Sequence, residues 1–244
     1  MKIGILLTGT LPEVIVARGG EYDAYFKRLL LSVDPELELF TVDVVNGEAL
    51  PAPQSADGWL ITGSRHGVYD DLPWLEPLKA FCKSAIAAGV PVVGVCFGHQ
   101  LLAEALGGRA VKSDKGWALG VHSYQPGATP EWLPEGLRRA WSGHVVHQDQ
   151  VVALPEGATV LASSDFCPYA ALAYGDPERP DALSVQPHPE YTNELFNMVS
   201  EHRLSATVPA EERAAAAATL DIPVASRDWA EAMVRYFRRM NAAA

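Results

Sequence analysis

The sequence has little cysteine, no concentrated positive charge and no long apolar run, and each scarcity removes a class of protein. Cys82, Cys96 and Cys167 are odd in number and scattered, too few for the disulfide framework of a small secreted domain. With no secretion signal, an odd count points to the reducing cytoplasm, where each thiol has to serve as core, ligand or nucleophile. Lys and Arg number 19 against 30 Asp and Glu, a net charge of −11, and the cations never form a run. Neither nucleic acid nor an anionic membrane is an expected partner, because both are gripped through basic patches. No stretch reaches the ~20 apolar residues of a membrane-spanning helix. The apolar start, MKIGILLTGT, is followed soon by Arg18 and Glu21, so it reads as a buried first strand and not as a signal peptide. No phosphate loop or dinucleotide fingerprint is present, since Gly107-Gly108 closes a helix and does not open one. No cofactor is implied.

What is there is an alternation of strand and helix signals. Short apolar runs at 2–7, 37–42 and 58–62 read as strands, and Val90–Val95 is a continuous run suited to a strand buried on both faces. Between and after them, helical spacing covers 20–33, 75–88 and 100–106. This order implies βαβ units and an open, mainly parallel central sheet flanked by helices, an α/β fold of flavodoxin-like type. The second half changes to short strands at 119–124, 150–154, 159–163, 170–174 and 182–186, separated by Pro, Gly and Asp turns. They are expected to extend the same sheet as antiparallel hairpins. An alanine-rich helical stretch at 214–218 and an amphipathic helix at 227–240, with Ser226 as its N-cap, end the chain. The organisation expected is one domain over residues 1–200 and a helical extension over 201–244 packed on it.

The most informative segment is Gly94-Val95-Cys96-Phe97-Gly98-His99-Gln100, set between a buried strand and a helix. A G-x-C-x-G turn there is the thiol counterpart of the G-x-S-x-G nucleophile elbow. Side chains at the two glycines would collide with neighbouring backbone, while Cys96 stands above the sheet. At a helix N-terminus, unpaired amides and the helix dipole favour thiolate over thiol, and the Phe97 amide is placed to hold an oxyanion. The alternative is a small core residue in a strand-to-helix turn. Cys82, on the apolar stripe of a helix, reads as core, and Cys167 lies in a loop with no base near it in sequence.

A cysteine nucleophile needs a base that is close in space and seldom in sequence. His188, in Gln186-Pro187-His188-Pro189-Glu190 directly after a strand, is the candidate. The prolines hold the backbone extended, so His188 and Glu190 project to one side, and a carboxylate beside an imidazole selects its tautomer and stabilises its cation.

Together these residues resemble the class I glutamine amidotransferases, a cysteine-triad family that includes the glutaminase half of GMP synthase. Gly94–Gln100 matches its G-x-C-x-G-x-Q nucleophile motif and Gln186–Glu190 its H-P-E motif. Leu60-Ile61-Thr62-Gly63-Ser64 is similar to its oxyanion loop, and Val146–Val151 to the S-H-G-D-x-V stretch that lines its substrate pocket. The resemblance covers roughly residues 2–200. It implies that Cys96, His188 and Glu190 form the triad, that the amides of Gly63 and Phe97 make the oxyanion hole, and that Gln100, Val146 and His147 hold the glutamate portion. The substrate implied is glutamine or another γ-glutamyl compound. Thr62 and Ser64 stand where many members have Gly and Pro, and Val146 replaces a usual serine.

Three readings stay open at this level. The chain contains no synthetase domain, so an amidotransferase would deliver ammonia to a partner protein. A stand-alone hydrolase or transferase of γ-glutamyl compounds is the second, favoured by the block Gly63-Ser64-Arg65-His66-Gly67-Val68-Tyr69-Asp70, which resembles some free-standing relatives. The third is a non-catalytic ligand-binding or redox-sensing protein. His144, His147 and Asp149 cluster in sequence, but on a strand residues 144 and 147 face opposite sides, which disfavours joint metal ligation, so no metal is expected.

Overall fold

The structure, a computed structural model, describes residues 1–242. Five parallel strands form one half of a nine-stranded sheet: β1 (Lys2–Leu6), β2 (Glu38–Val42), β3 (Gly58–Ile61), β4 (Val92–Val95) and, from the far end of the chain, β11 (Ala182–Val185). The sheet order is β2-β1-β3-β4-β11-β10-β9-β6-β7, where β6 is Ala118–Pro126, β7 Trp141–His147, β9 Ala158–Ser163 and β10 Ala171–Tyr174. β10, β9, β6 and β7 are each antiparallel to their neighbours. The mainly parallel centre with added antiparallel strands is thus as the sequence pattern implied.

Two strands leave that sheet. β5 (Arg109–Lys112) and β8 (Asp149–Ala153) pair antiparallel as a separate ribbon. The sequence pattern placed 150–154 in the main sheet and gave no sign of β5, whose two apolar residues between Arg109 and Lys112 are too few to register. Nor did it mark the short helix α1 (Glu13–Gly19) before α2 (Tyr22–Leu31). The remaining helices are α3 (Leu75–Ala87), α4 (Phe97–Ala105), α5 (Asn193–Val199), α6 (Ala210–Ala217) and α7 (Ser226–Asn241). Ser226 is the first helical residue and not the cap; Ala225 occupies that position and no side chain caps the helix.

β3, β4, β10 and β11 are buried along their whole length because helices and loops cover both faces. On one face, α7 sends Trp229, Met233, Tyr236 and Phe237 into the core. Gly58 is required there, since a Cβ on it would lie 2.5 Å from Phe237. Tyr236 Oη donates to the Asp181 carbonyl at 2.8 Å, and Arg238 pairs with Asp34. Among the described residues no helix is long and apolar enough to cross a membrane.

Candidate active site

β4 ends in a turn too tight for ordinary side chains. A Cβ on Gly94 would sit 2.3 Å from the Gly98 carbonyl oxygen, and one on Gly98 would sit 2.6 Å from that of Ile61. Between them Cys96 adopts φ 53° and ψ −101°, the one non-glycine residue with positive φ among those described. Such a conformation costs about 1–3 kcal/mol and persists only where its surroundings impose it. Here the Cys96 amide is tied to the Val185 carbonyl at 2.9 Å, while Cys96 directly precedes the N-terminal turn of α4. Cys82 and Cys167 differ: both are buried, and burial pushes their thiols up to about 12.

β11 leads to the candidate base. His188 follows it by three residues, and its backbone N–H donates to the His144 carbonyl on β7 at 2.8 Å. The His188 ring is buried, with Nδ1 2.6 Å from Glu190 Oε1. Burial disfavours the imidazolium, but the charge of Glu190, the neighbouring Cys96 sulfur and bonding to both outweigh it, holding the His188 pKa well above its ordinary value. A Cβ placed on Gly63 would lie 2.9 Å from His188 Cε1 and 3.8 Å from Cys96 Cβ, so imidazole and cysteine converge on that loop glycine.

The loop carrying Gly63 is pinned by hydroxyls. Thr8, just past β1, donates from its amide to Thr62 Oγ1 (3.1 Å) and from its own hydroxyl to the carbonyls of Thr62 (3.0 Å) and Gly63 (3.3 Å). Ser64 Oγ returns a bond to the Thr8 carbonyl at 2.7 Å. Thr62 and Ser64, the two departures from the usual Gly and Pro, therefore clamp the loop to the sheet. Thr8 was missed by sequence reasoning, since nothing marks a threonine 54 residues upstream as a loop anchor. Among the described residues neither the Gly63 nor the Phe97 amide donates to a protein acceptor, which leaves both free for an oxygen in the site.

α4 and β11 are locked together by two buried polar contacts. His99 Nδ1 lies 2.7 Å from Ser184 Oγ, and Gln100 Nε2 donates to Gln186 Oε1 (3.1 Å) and to the Asp149 carbonyl (3.0 Å). Burial drives His99 down to about 3, so it packs as a neutral ring. These contacts fix the register between the helix beginning after Cys96 and the strand leading to His188.

Cys96, His188 and Gln100 open on a cavity of about 480 Å³, within the range of small-molecule sites. Val146 and His147 line it too. His147, driven down to about 3 by burial, bonds through Nδ1 to the Asp149 carbonyl (3.1 Å), while His144, three residues earlier, contacts Asn193 Oδ1 at 2.9 Å. Among the described residues no group of three or more His, Cys, Asp or Glu side chains is arranged to hold a metal ion. The structure thus brings Cys96, His188, Gln100, Val146 and His147 onto one cavity, with Glu190 bonded to His188, Gly63 beside its ring and Phe97 next to Cys96. It adds residues that no motif signalled, Tyr22, Arg203 and Tyr191, the last tilted against His188 with ring centres 4.3 Å apart, and gives a place to Tyr69 of the Gly63–Asp70 block, whose hydroxyl donates to Asp149 Oδ2 at 2.9 Å.

Residues 19–202 match the family model described as glutamine amidotransferase class-I. This chain belongs to that family. Among its relatives, gamma-glutamyl peptidase 3 of Arabidopsis thaliana is 34% identical over 154 residues, 59% of this chain and 58% of the peptidase. A glutamine-hydrolyzing GMP synthase subunit of Halobacterium salinarum is 32% identical over 181 residues, 72% of this chain and 87% of that one. The match spans less than two thirds of the length of the plant peptidase. A glutamine amidotransferase of Methylobacillus flagellatus shares the fold with a TM-score of 0.74 at 23% identity, the superposition covering 97% of this chain and 94% of that one.

Proposed function

We propose that the protein hydrolyses a γ-glutamyl amide through a cysteine thioester. The observation that carries this reading is the pairing of one strained, non-glycine elbow residue, Cys96, with a buried His188–Glu190 pair on the same cavity. Cys96 sulfur attacks the side-chain carbonyl of the γ-glutamyl group, forming an S–C bond and an oxyanion that the Gly63 and Phe97 amides stabilise. The C–N bond breaks as His188 gives its proton to the departing ammonia or amine. His188 then takes a proton from water, whose oxygen attacks the thioester carbonyl and releases glutamate and the thiol. Glu190 holds the imidazole and its positive charge throughout. Gln100 and the chain at Val146-His147 grip the glutamate portion.

Two versions differ in the amine released. The halobacterial relative favours ammonia passed to a synthetase partner, and the plant peptidases favour a stand-alone γ-glutamyl hydrolase or transferase. Kinetics on glutamine and a panel of γ-glutamyl amides, with and without a cell extract, separates them. High unassisted turnover of a non-glutamine substrate supports the hydrolase; turnover of glutamine only in the presence of a co-purifying synthetase supports the ammonia-delivering version. A non-catalytic redox sensor has no use for a buried imidazole–carboxylate pair. Its mark would be intact substrate in every assay. Three free, buried cysteines suit the reducing cytoplasm. We read residues 1–200 as the catalytic domain and the rest as an extension packed on it.

A further inference from the structure

The cavity is not uniform in charge. At one end lies Arg203, carried on the turn of π-helix Ser200–Leu204 that follows α5. Its Nη1 donates to Tyr22 Oη at 2.6 Å and its Nη2 to the Thr10 carbonyl at 3.3 Å. Among the described residues no carboxylate comes within ion-pair distance of it. Glu21, the acid whose field reaches it, accepts through Oε1 from the amides of Leu11 and Tyr22. Two of the five guanidinium donors are thus taken by a hydroxyl and a carbonyl, and the others remain for an anion in the cavity.

A second cation faces the same space. Arg65, on the Ser64–Asp70 loop, lines the cavity and is exposed, and Arg65 and Arg203 both depress the pKa of His66 between them, behind burial as the leading cause. Asp70 is the one acid on that loop facing the cavity, and its Oδ2 already accepts from the Gly67 amide at 2.9 Å. So this end is positive in a protein whose net charge is −11. The other end carries Asp149, held by Tyr69, together with Gln100 and Lys112.

The positive end connects to the proposed acid through two tyrosines. The Tyr22 hydroxyl lies 3.5 Å from that of Tyr191, and the Tyr191 ring is tilted against His188. The amine leaving a γ-glutamyl amide must depart toward the imidazole that protonates it, and hence toward this end. We infer that Arg203 and Arg65 bind a carboxylate on the amine half of the substrate, so that the preferred substrates are γ-glutamyl amino acids or peptides with a free acid and not glutamine. A guanidinium fork matches a carboxylate in two parallel bonds, which supplies direction as well as charge. The inference rests on the proposed thioester chemistry and adds to it the class of leaving group.

The test compares γ-glutamylglycine with γ-glutamylglycinamide, which share size and scissile bond and differ by one negative charge. The readout is the ratio of their kcat/KM values within each protein, so that a general loss of activity cancels. For the unaltered protein the ratio is expected at about tenfold or more, falling toward unity as salt rises. Arg203→Met brings it near one, Arg203→Lys restores part of it, and Arg65→Gln lowers it by about threefold. Because Arg203 is part-buried, Arg203→Met is checked by thermal melt; the wild-type ratio and the exposed Arg65→Gln need no such safeguard. A wild-type ratio near one, or a ratio kept by both Arg203→Met and Arg65→Gln, overturns the inference while the chemistry stands. If neither compound nor glutamine is cleaved and Cys96 resists a glutamine-like electrophile, the underlying reading falls and takes this one with it.

Discussion

Replacing Glu190 by Gln removes the carboxylate that does most to keep His188 cationic in a buried site. The two side chains are 3% and 0% exposed and 2.6 Å apart, so solvent does little to screen their attraction. Breaking a buried ion pair from one side costs about 3–5 kcal/mol. Without that charge the burial of the ring prevails and the His188 pKa falls back toward or below its ordinary value. A raised folded-state pKa stabilises the protein fully below the unfolded value of about 6.5, and the benefit disappears as pH rises through the folded value. Glu190→Gln is therefore most destabilising on the acid side and approaches wild type at alkaline pH. Catalysis follows the same proton. His188 must be cationic to release the amine, so the alkaline limb of kcat/KM moves to lower pH by the size of the shift. At neutral pH the rate falls by about 10²–10⁴. Measuring kcat/KM against pH on a cleaved γ-glutamyl amide, with thermal melts at each pH, checks both. An alkaline limb that stays in place, or a melting difference independent of pH, would refute the coupling.

Three further outcomes follow from the same geometry. Cys96→Gly relieves the strain at φ 53° and Cys96→Ala keeps it, so the glycine variant, inactive like the alanine one, melts roughly 2–12 °C higher than it; equal melting temperatures would show that the elbow is unstrained. Gly98→Ala drives a methyl against the Ile61 backbone at 2.6 Å, where nothing flexible yields, and lowers stability by about 1–3 kcal/mol or more in urea unfolding. Gly63→Ala presses on the His188 ring at 2.9 Å, a side chain that can move, so it lowers kcat/KM by about 10² with a melting point within a few degrees of wild type.

The candidate nucleophile and base stood out in the sequence because each sits in a segment whose local physics demands special residues. A sharp strand-to-helix turn needs glycines at 94 and 98, and two prolines hold His188 and Glu190 on one side of an extended chain. The parallel strands were legible for a similar reason: strands buried on both faces read as unbroken apolar runs. What the sequence left hidden depends on contacts between distant segments. Thr8 matters only because β1 lies beside β3, which brings it against Thr62 and Ser64. Arg203 sits in an ordinary polar stretch and becomes notable only when the turn after α5 folds over Tyr22. β5 holds only two apolar residues, too short a run to count, and exists through its pairing with β8. Ser226 is a good capping residue at a helix start, yet it enters the first turn, because the Ala225 amide is drawn to the Ser142 carbonyl at 2.8 Å.

The proposed chemistry stands on the thiol of Cys96 being the one that reacts. A diazoketone or chloroketone analogue of glutamine, followed by intact mass and peptide mapping, measures this directly. The prediction is a single adduct, mapped to Cys96 and formed far more slowly in His188→Ala, with Cys82 and Cys167 untouched because burial holds their thiols protonated at about 12. No adduct on the native protein, or label appearing on Cys82 or Cys167 in place of Cys96, would contradict it.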